Sequence, residues 1–164
     1  MVYLESSNTN PYFNLAFEEY VFDSLPRQNE YFMLWQNKNA IIIGKHQNTI
    51  EEINIPFVEE HQIKVVRRLS GGGAVYHDLG NLNFTFITDS NEGTKIDMAK
   101  FCLPVVKALA HIGIDAQISG RNDITIDGKK FSGNSQYVKK NRVMHHGTLM
   151  FNSNLEMLSQ ALKA

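Results

Sequence analysis

Hydrophobic positions along this chain switch repeatedly between the period of a helix and the period of a strand. Near the N-terminus, Asn10 and Pro11 form a pair that favours the start of a helix, and Pro26 is expected to end it. The apolar face of this helix is predicted to carry Phe13, Phe17, Tyr20 and Val21. A second amphipathic helix is predicted over residues 97–112, with Cys102 packed in the core.

Short extended segments lie between these two helices. Residues 30–35 and 40–44 are predicted to be adjacent strands joined by a polar turn. Residues 64–68 form a further strand after a short helix. Large apolar residues alternate with other residues over 82–87, which predicts a strand that returns across the sheet behind the loop after residue 68.

The C-terminal third predicts a hairpin, a strand and a final amphipathic helix. Asp127-Gly128 is the strongest hairpin signal in the sequence. Residues 143–151 are predicted to form a strand in which His145 and His146 point to opposite faces. The whole pattern predicts one α/β (α+β) domain with mixed, largely antiparallel sheets and flanking helices, because strands and helices do not alternate regularly.

Composition narrows the class of protein. The 164 residues, 43% hydrophobic and 20% charged, suffice for one domain with a real core. We predict a cytoplasmic protein without a membrane partner, because the chain lacks an apolar run of roughly 20 residues and a secretory signal. The single cysteine excludes an internal disulfide and a cysteine-rich zinc cluster, and the six histidines show no metal-ligand spacing. The net charge of −1 gives no global sign of nucleic-acid binding.

The most informative segment runs from Arg67 to Asp78, where three consecutive glycines lie between two arginines and an aromatic-histidine-aspartate run. Glycines leave backbone N–H groups open to a ligand, and arginine offers a planar fork of donors for carboxylate or phosphate. The residues after the glycines are extended in character, so the segment is neither a Rossmann fingerprint nor a P-loop. A wide turn between strands is the alternative for the glycines alone, whereas the flanking residues favour an anion-binding loop.

A second polar constellation lies downstream in the sequence. The segment GRND at residues 120–123 is followed by KKFSG at residues 129–133 and HHGT at residues 145–148. A lysine ammonium is a compact charge that can stabilise a carboxylate attacking phosphorus and the growing charge on phosphate oxygens. Basic residues crowd this part of the chain, and a solvated face or an exposed hairpin is the alternative interpretation for them.

Together, these segments resemble the lipoate-protein ligases. The family patterns RR-x-SGGGAV-[FY]-HD, GRND, K-x-SG and HHGTL occur here in that order, and the resemblance extends from the first helix to near the last residue. It implies the fold that biotin and lipoate ligases share, which is similar to that of class II aminoacyl-tRNA synthetases. It also implies that residues 1–164 are a catalytic domain that is incomplete at its C-terminal end.

The resemblance further implies an activity and its partners. Members of the family activate lipoate with ATP and Mg²⁺ to form lipoyl-AMP, and then transfer the lipoyl group to a lysine of an apo lipoyl domain. Such acceptors include the E2 subunits of 2-oxoacid dehydrogenases and the glycine cleavage H protein. The chain is therefore expected to act in protein lipoylation, with lipoate as its substrate.

The family's site residues carry over by position. Lys130 matches the lysine that touches both the lipoate carboxylate and the α-phosphate, and it is our candidate catalytic residue. Arg68 matches the arginine near the phosphates, and Asp123 matches the acidic residue near the adenylate or its magnesium ion. The other implied residues shape the acyl and phosphate pocket or contact the nucleotide: Ser70, Gly71, Gly72, Gly73, Ala74, Val75, Tyr76 and His77.

Other functions remain as alternatives at this point. Octanoyl or lipoyl transferases share the fold but carry the acyl group on an exposed, activated cysteine thiolate, and Cys102 is predicted to lie in the core. A lipoate- or nucleotide-binding module without turnover is the second alternative. Biotin ligases carry an arginine-rich glycine loop with a different order of residues. This chain lacks that order, so it does not resemble the biotin ligases in this loop.

Overall fold

The computed structural model describes residues 1–90, 97–120 and 122–163, so Arg121 of the GRND segment and Ala164 lie outside the described residues. The helices are α1 (Pro11–Ser24), α2 (Thr49–Glu52), α3 (Ile55–Glu60), α4 (Met98–His111) and α5 (Leu155–Ala161). The strands are β1 (Val2–Glu5), β2 (Tyr31–Trp35), β3 (Ala40–Ile43), β4 (Lys64–Arg67), β5 (Val75–His77), β6 (Asn81–Asp89), β7 (Gln117–Ser119), β8 (Asp123–Ile126), β9 (Lys129–Lys139) and β10 (Arg142–Met150).

Within the described residues, the strands form a seven-stranded sheet in the order β1-β2-β6-β10-β9-β8-β7 and a three-stranded sheet in the order β4-β3-β5. In the large sheet β1 and β2 are parallel, whereas the other neighbours are antiparallel. In the small sheet β3 is parallel to β4 and antiparallel to β5. This arrangement confirms the predicted mixed, largely antiparallel sheets with flanking helices.

Local signals placed several elements correctly. The side chain of Asn10 accepts a hydrogen bond from the N–H of Tyr12 at 3.1 Å, and this cap starts α1 as predicted. Asp127 and Gly128 both have positive φ, at 50° and 72°, and they join β8 to β9 in the predicted hairpin. None of the described helices is long and apolar enough to cross a membrane.

The predicted pairing of residues 30–35 with residues 40–44 is wrong. β2 pairs with β1 and β6, whereas β3 pairs with β4 and β5, so the two strands belong to different sheets. The connector between them is not an open polar turn, because Asn37 is fully buried and is hydrogen-bonded to Asn14 and His77. The glycine loop likewise connects β4 to β5 of the small sheet, and the predicted strand over 82–87 lies within β6 of the large sheet.

The predicted apolar face of α1 is also wrong. Phe13 and Tyr20 are 49% and 55% exposed, and of the four predicted residues only Val21 is fully buried. The buried positions of the helix are Pro11, Asn14, Leu15, Glu18, Val21 and Phe22. Two polar side chains, Asn14 and Glu18, lie inward because both find buried hydrogen-bond partners on other elements.

The core is divided by the sheets. One apolar cluster packs α1 against both sheets and includes Val21, Met33 and Ile42. A second cluster lies between α4 and the opposite face of the large sheet, where Cys102 is fully buried beside Phe84, as predicted. The surface of the large sheet that faces α1 and the small sheet therefore positions the polar groups described next.

Candidate active site

A cavity of about 450 Å³ opens between the glycine loop and the large sheet. Several elements that are distant in sequence meet there, including α1, β5, β6, β9, β10 and α5. Of the site residues predicted from sequence, those that line the cavity are Arg68, Gly72, Gly73, Ala74, Val75, Tyr76, His77 and Lys130. Ser70, Gly71 and Asp123 do not line it, and each instead contacts a residue that does.

Arg68 lies beneath the glycine loop and is hydrogen-bonded to the backbone of the loop. Its Nη2 donates to the carbonyl oxygens of Gly71 and Gly73 at 2.7 and 2.8 Å. Its Nη1 donates to the carbonyl oxygen of Ile42 at 3.0 Å, and its Nε donates to Ser70 Oγ at 3.2 Å. Burial lowers the pKa of the guanidinium, whereas the charge of Glu18 raises it. Arg68 is thus a fixed positive charge that shapes the loop.

The loop presents backbone donors. The N–H groups of Gly71, Gly72 and Gly73 donate to no partner among the described residues, while Arg68 occupies the carbonyl oxygens of Gly71 and Gly73. Gly72 has a φ of 96°, a conformation that favours glycine, and a Cβ there would come within 3.0 Å of Arg68 Nη2. Successive free N–H groups over a buried cation form a concave site for an anion.

Gly44 is a residue that sequence reasoning missed. It follows β3, and a Cβ at this position would overlap the carbonyl oxygen of Gly72. The glycine loop therefore rests directly on the backbone of Gly44. A glycine immediately after a strand of isoleucines was the available signal, since such a position often marks a close approach of two backbones.

Lys130 lies at the mouth of the cavity on the β8–β9 hairpin. Its Nζ is 2.8 Å from Asp123 Oδ1, and its side chain is 58% exposed, so the ion pair is accessible to a ligand. The side chain crosses Gly133, where a Cβ would lie 3.4 Å from Lys130 Cε. The lysine and the glycine of the K-x-S-G pattern therefore lie side by side at the cavity.

The His145-His146 pair divides between the two faces of β10, as predicted. His146 lines the cavity, where its Nδ1 lies 2.9 Å from Glu18 Oε1. His145 faces α4 and stacks on Phe101 with ring centroids 5.0 Å apart. Only His146 can therefore take part in a site at the cavity.

Two polar side chains complete the cavity wall: Asn83 of the large sheet, which was not predicted, and His77 of the small sheet, which was. Asn83 Oδ1 accepts from Asn81 Nδ2 at 2.9 Å, and the Nδ2 of Asn83 has no partner among the described residues. His77 is held through Nδ1 by Asn37 Nδ2 at 3.1 Å, so its Nε2 carries the hydrogen, and that group also lacks a described partner. Both side chains are buried, so these two donors are available to a ligand or a water in the cavity.

Two buried histidines make the free energy of unfolding depend on pH. Burial lowers the pKa of His77 and of His145 to about 3, so both are neutral in the folded chain. The unfolded chain binds these protons near the ordinary pKa of about 6.5, so folding stability is present above that pH and is lost as the pH falls. We expect each histidine to remove up to about 2 kcal/mol from the free energy of unfolding between about pH 7 and about pH 5.

Urea unfolding at a series of pH values measures this effect. His145→Gln should make the pH dependence shallower by about half, since one of the two groups is gone. His111→Gln, at an exposed position, is the matched control and should keep the slope of the wild type. A His145→Gln chain with an unaltered slope would contradict the assignment.

The cavity combines two chemistries. Its apolar side is formed by Leu15, Trp35 and Ile42, and its polar side by the glycine loop and Lys130. The apolar side is suited to bind an aliphatic chain, and the polar side is suited to bind phosphate or carboxylate oxygens. Among the described residues, no group of three or more His, Cys, Asp or Glu side chains could hold a metal ion by itself.

Comparison with known proteins agrees with this geometry. The family model of the lipoyl protein ligase A/B catalytic domain matches residues 10–164. The lipoate-protein ligase LplJ of Bacillus subtilis (strain 168) is 52% identical over 164 residues, which are 99% of this chain and 50% of that protein. The chain spans about half the length of the curated relatives it matches.

Solved structures show the same fold. The structure of P. falciparum LipL1 in complex with lipoate is 34% identical with a TM-score of 0.88, covering 98% of this chain and 51% of that one. A structure from an archaeal lipoylation system, a bi-partite lipoate protein ligase and its E2 lipoyl domain from Thermoplasma acidophilum, is 31% identical with a TM-score of 0.88. The match covers 98% of this chain and 64% of that one. The structure of lipoate-protein ligase A bound with ATP is 27% identical with a TM-score of 0.84. The match covers 99% of this chain and 70% of that one. These matches confirm the predicted mixed α/β fold.

Proposed function

This chain belongs to the family of lipoyl protein ligase A/B catalytic domains, and from that premise we propose that it activates lipoate with ATP and transfers the lipoyl group to a lipoyl domain in the cytoplasm. One observation carries the proposal. A single cavity holds free loop N–H groups, the Lys130 ammonium and an apolar wall. These are the groups needed to bring a carboxylate with an aliphatic tail against a phosphate.

The first step joins two anions. A carboxylate oxygen of lipoate forms a bond to the α-phosphorus of ATP, the bond from that phosphorus to the bridging oxygen breaks, and pyrophosphate leaves. The two reactants repel each other, so the site has to supply positive charge where they meet. Lys130 is the exposed cation at this point, and Arg68 beneath the glycine loop is the buried one.

The second step consumes the mixed anhydride. A lysine amine of the lipoyl domain attacks the acyl carbon, the bond from that carbon to the phosphate oxygen breaks, AMP leaves and the amine loses a proton. Water competes with the amine for the same carbon. The apolar wall around Trp35 and Ile42 supports protection of the anhydride until the acceptor arrives.

Asp123 is the residue that would hold Mg²⁺. One carboxylate is enough when phosphate oxygens and water supply the other ligands, and Mg²⁺ is commonly bound in this way at nucleotide sites. The ion supplies charge that offsets the negative phosphates. The Asp123 carboxylate already lies 2.8 Å from Lys130 Nζ, so it also keeps the lysine close to the cavity before the substrates bind.

The acceptor is proposed to be a lipoyl domain. The Thermoplasma ligase acts in a lipoylation system with its own E2 lipoyl domain, which supports an E2 subunit as one partner of this chain. The glycine cleavage H protein is proposed as a second partner because it carries the same kind of domain.

A cysteine-based transferase is not supported by the site. Cys102 is fully buried on α4, and its Sγ lies 4.0 Å from His145 on the face of the sheet away from the cavity. Burial raises the pKa of its thiol to about 11, so the thiolate needed as a nucleophile is scarce near neutral pH.

Incubation of the purified chain with ATP, Mg²⁺ and lipoate tests the proposal. We expect release of pyrophosphate, followed by acylation of an apo lipoyl domain when that is added. Release without acylation would limit the activity to adenylate formation. Binding of ATP or lipoate with neither product would favour the binding module and contradict the enzyme.

Gly44 provides a further prediction about nucleotide binding. Gly44→Ala should weaken the affinity for ATP by roughly tenfold, because the new methyl group overlaps the Gly72 carbonyl and moving the loop backbone costs about 1–3 kcal/mol. Titration calorimetry with ATP measures the effect. Asn48→Ala, four residues further along at an exposed position without a side-chain cap hydrogen bond, should bind ATP like the wild type. Equal affinities in all three chains would show that the loop does not depend on Gly44.

A further inference from the structure

A line of buried hydrogen bonds runs from the glycine loop to α1. Arg68 Nε donates to Ser70 Oγ at 3.2 Å, Ser70 Oγ lies 2.5 Å from His146 Nε2, and His146 Nδ1 lies 2.9 Å from Glu18 Oε1. All four side chains are buried. They come from β10, α1 and the loop, so no sequence motif contains the arrangement.

The two ends of this line determine the direction of the hydrogen bonds made there. An arginine can only donate, and an ionised carboxylate can only accept. Thr85 Oγ1 also donates to Glu18 Oε1, at 2.6 Å, so Glu18 accepts from two sides. His146 therefore donates from Nδ1 to Glu18, and its Nε2 is hydrogen-bonded to the hydroxyl of Ser70.

The order of serine, histidine and carboxylate is that of a hydrolase triad, but the surroundings exclude that use. Ser70 is 1% exposed and does not line the cavity, so no acyl carbon can reach its oxygen. Arg68 also donates to the same oxygen, which withdraws the electron pair that a nucleophile would use. The Ser70 hydroxyl can therefore fix the orientation of Arg68 through a hydrogen bond, but it cannot form an acyl intermediate.

Arg68 is the residue that this orientation serves. Its guanidinium is rigid and planar, so fixing Nε also fixes the directions of both Nη atoms. The Nη2 group holds two carbonyl oxygens of the loop, of Gly71 and Gly73. Glu18 supplies the negative charge that compensates a cation buried beneath the loop.

We propose that Glu18, Ser70 and His146 are positioning residues: they fix the orientation of Arg68, and Arg68 in turn holds the Gly71–Gly73 segment with its N–H groups toward the phosphates of the nucleotide. The identity of the ligand rests on the proposed function. The order of the loop does not, because the hydrogen bonds join residues of the chain itself.

Nuclear magnetic resonance on the ligand-free chain tests the arrangement directly. The ¹⁵N shifts of His146 should report a hydrogen on Nδ1, the nitrogen that faces Glu18. The heteronuclear NOE values of Gly71–Gly73 should be those of ordered backbone in the wild type and should fall in Ser70→Ala and Glu18→Leu. Glu19→Gln, the exposed neighbour on α1, is the matched control and should keep the wild-type values.

Binding and kinetics provide the second measurement. In Ser70→Ala, the Kd and KM for ATP should rise roughly tenfold, as expected for one lost buried hydrogen bond, while the KM for lipoate should stay within about twofold. A loss of fold alone would affect both substrates equally. Glu18→Gln keeps an acceptor oxygen for His146 and Thr85, so it should recover most of the ATP affinity that Glu18→Leu loses.

The outcomes separate this inference from the proposed function. Wild-type protein that releases no pyrophosphate overturns the function, and the loop NOE values of the variants then decide the inference. Unchanged NOE values and unchanged ATP affinity in both Ser70→Ala and Glu18→Leu overturn the inference, even where the wild type forms lipoyl-AMP. A Glu18→Gln chain as impaired as Glu18→Leu also overturns it.

Discussion

Replacement of Lys130 by alanine is expected to slow the formation of lipoyl-AMP by at least about 100-fold, the typical loss when one transition-state donor is removed. Lys130 is the exposed cation at the cavity, and its ion pair with Asp123 at 2.8 Å holds it there. Without it, Arg68 beneath the loop and the Mg²⁺ proposed at Asp123 are left to offset the charges of the carboxylate and the α-phosphate. Pyrophosphate release in the presence of lipoate measures this step.

The hairpin offers a matched control for this prediction. Lys129 precedes Lys130 on β9, is exposed and does not line the cavity, so Lys129→Ala should keep the wild-type rate. The affinity of Lys130→Ala for ATP should fall by less than its rate, because the loop N–H groups and Arg68 remain in place. Near-normal adenylate formation by Lys130→Ala would refute the assignment of the lysine.

Replacement of Arg68 by methionine is the second change with a large expected effect. It removes the donors to Gly71, Gly73, Ile42 and Ser70 and leaves Glu18 without its compensating charge. We expect a loss of about 3 kcal/mol in the free energy of unfolding and no measurable binding of ATP. Urea unfolding and titration calorimetry measure the two quantities.

Arg68→Lys separates the charge of Arg68 from its geometry. A lysine restores the positive charge but not the planar fork that holds two carbonyl oxygens at once. It should recover part of the lost stability, while ATP affinity stays at least about tenfold weaker than in the wild type. Full recovery of ATP affinity by the lysine variant would mean that charge alone is sufficient. The neighbouring Arg67 donates to the carbonyl oxygens of Gly44 and Gln47, and Arg67→Met should lose only about 1 kcal/mol of stability.

The polar interior explains why α1 was oriented wrongly from its sequence. Aromatic residues at helical spacing predicted the buried face, yet Phe13 and Tyr20 are half exposed and Glu18 is buried. Burial of a carboxylate is costly unless hydrogen-bond donors compensate it. Here the donors are Thr85 on β6 and His146 on β10. Nothing near Glu18 in the sequence indicates these partners.

The sheets show the same limit at the level of topology. The strands predicted over 30–35 and 40–44 both exist, but a fully buried Asn37 carries the chain from one sheet to the other. Periodicity identifies an extended segment and says nothing about which strand lies beside it. The short edge strands β1 and β7 carried too weak a pattern to be predicted at all.

The sequence by itself determined the features that depend on a residue and its near neighbours. These include the Asn10 cap, the Asp127-Gly128 hairpin, the glycine loop and the Lys130 motif, because capping, backbone φ and motif spacing act over a few residues. Only the tertiary structure decided that Arg68 supports the loop and that Gly44 lies against Gly72. It also decided that Ser70 is hydrogen-bonded to His146, which in turn is hydrogen-bonded to Glu18. Those contacts join residues far apart in the chain, and hydrogen bonds and steric fit between them arise only when the sheets and α1 pack together.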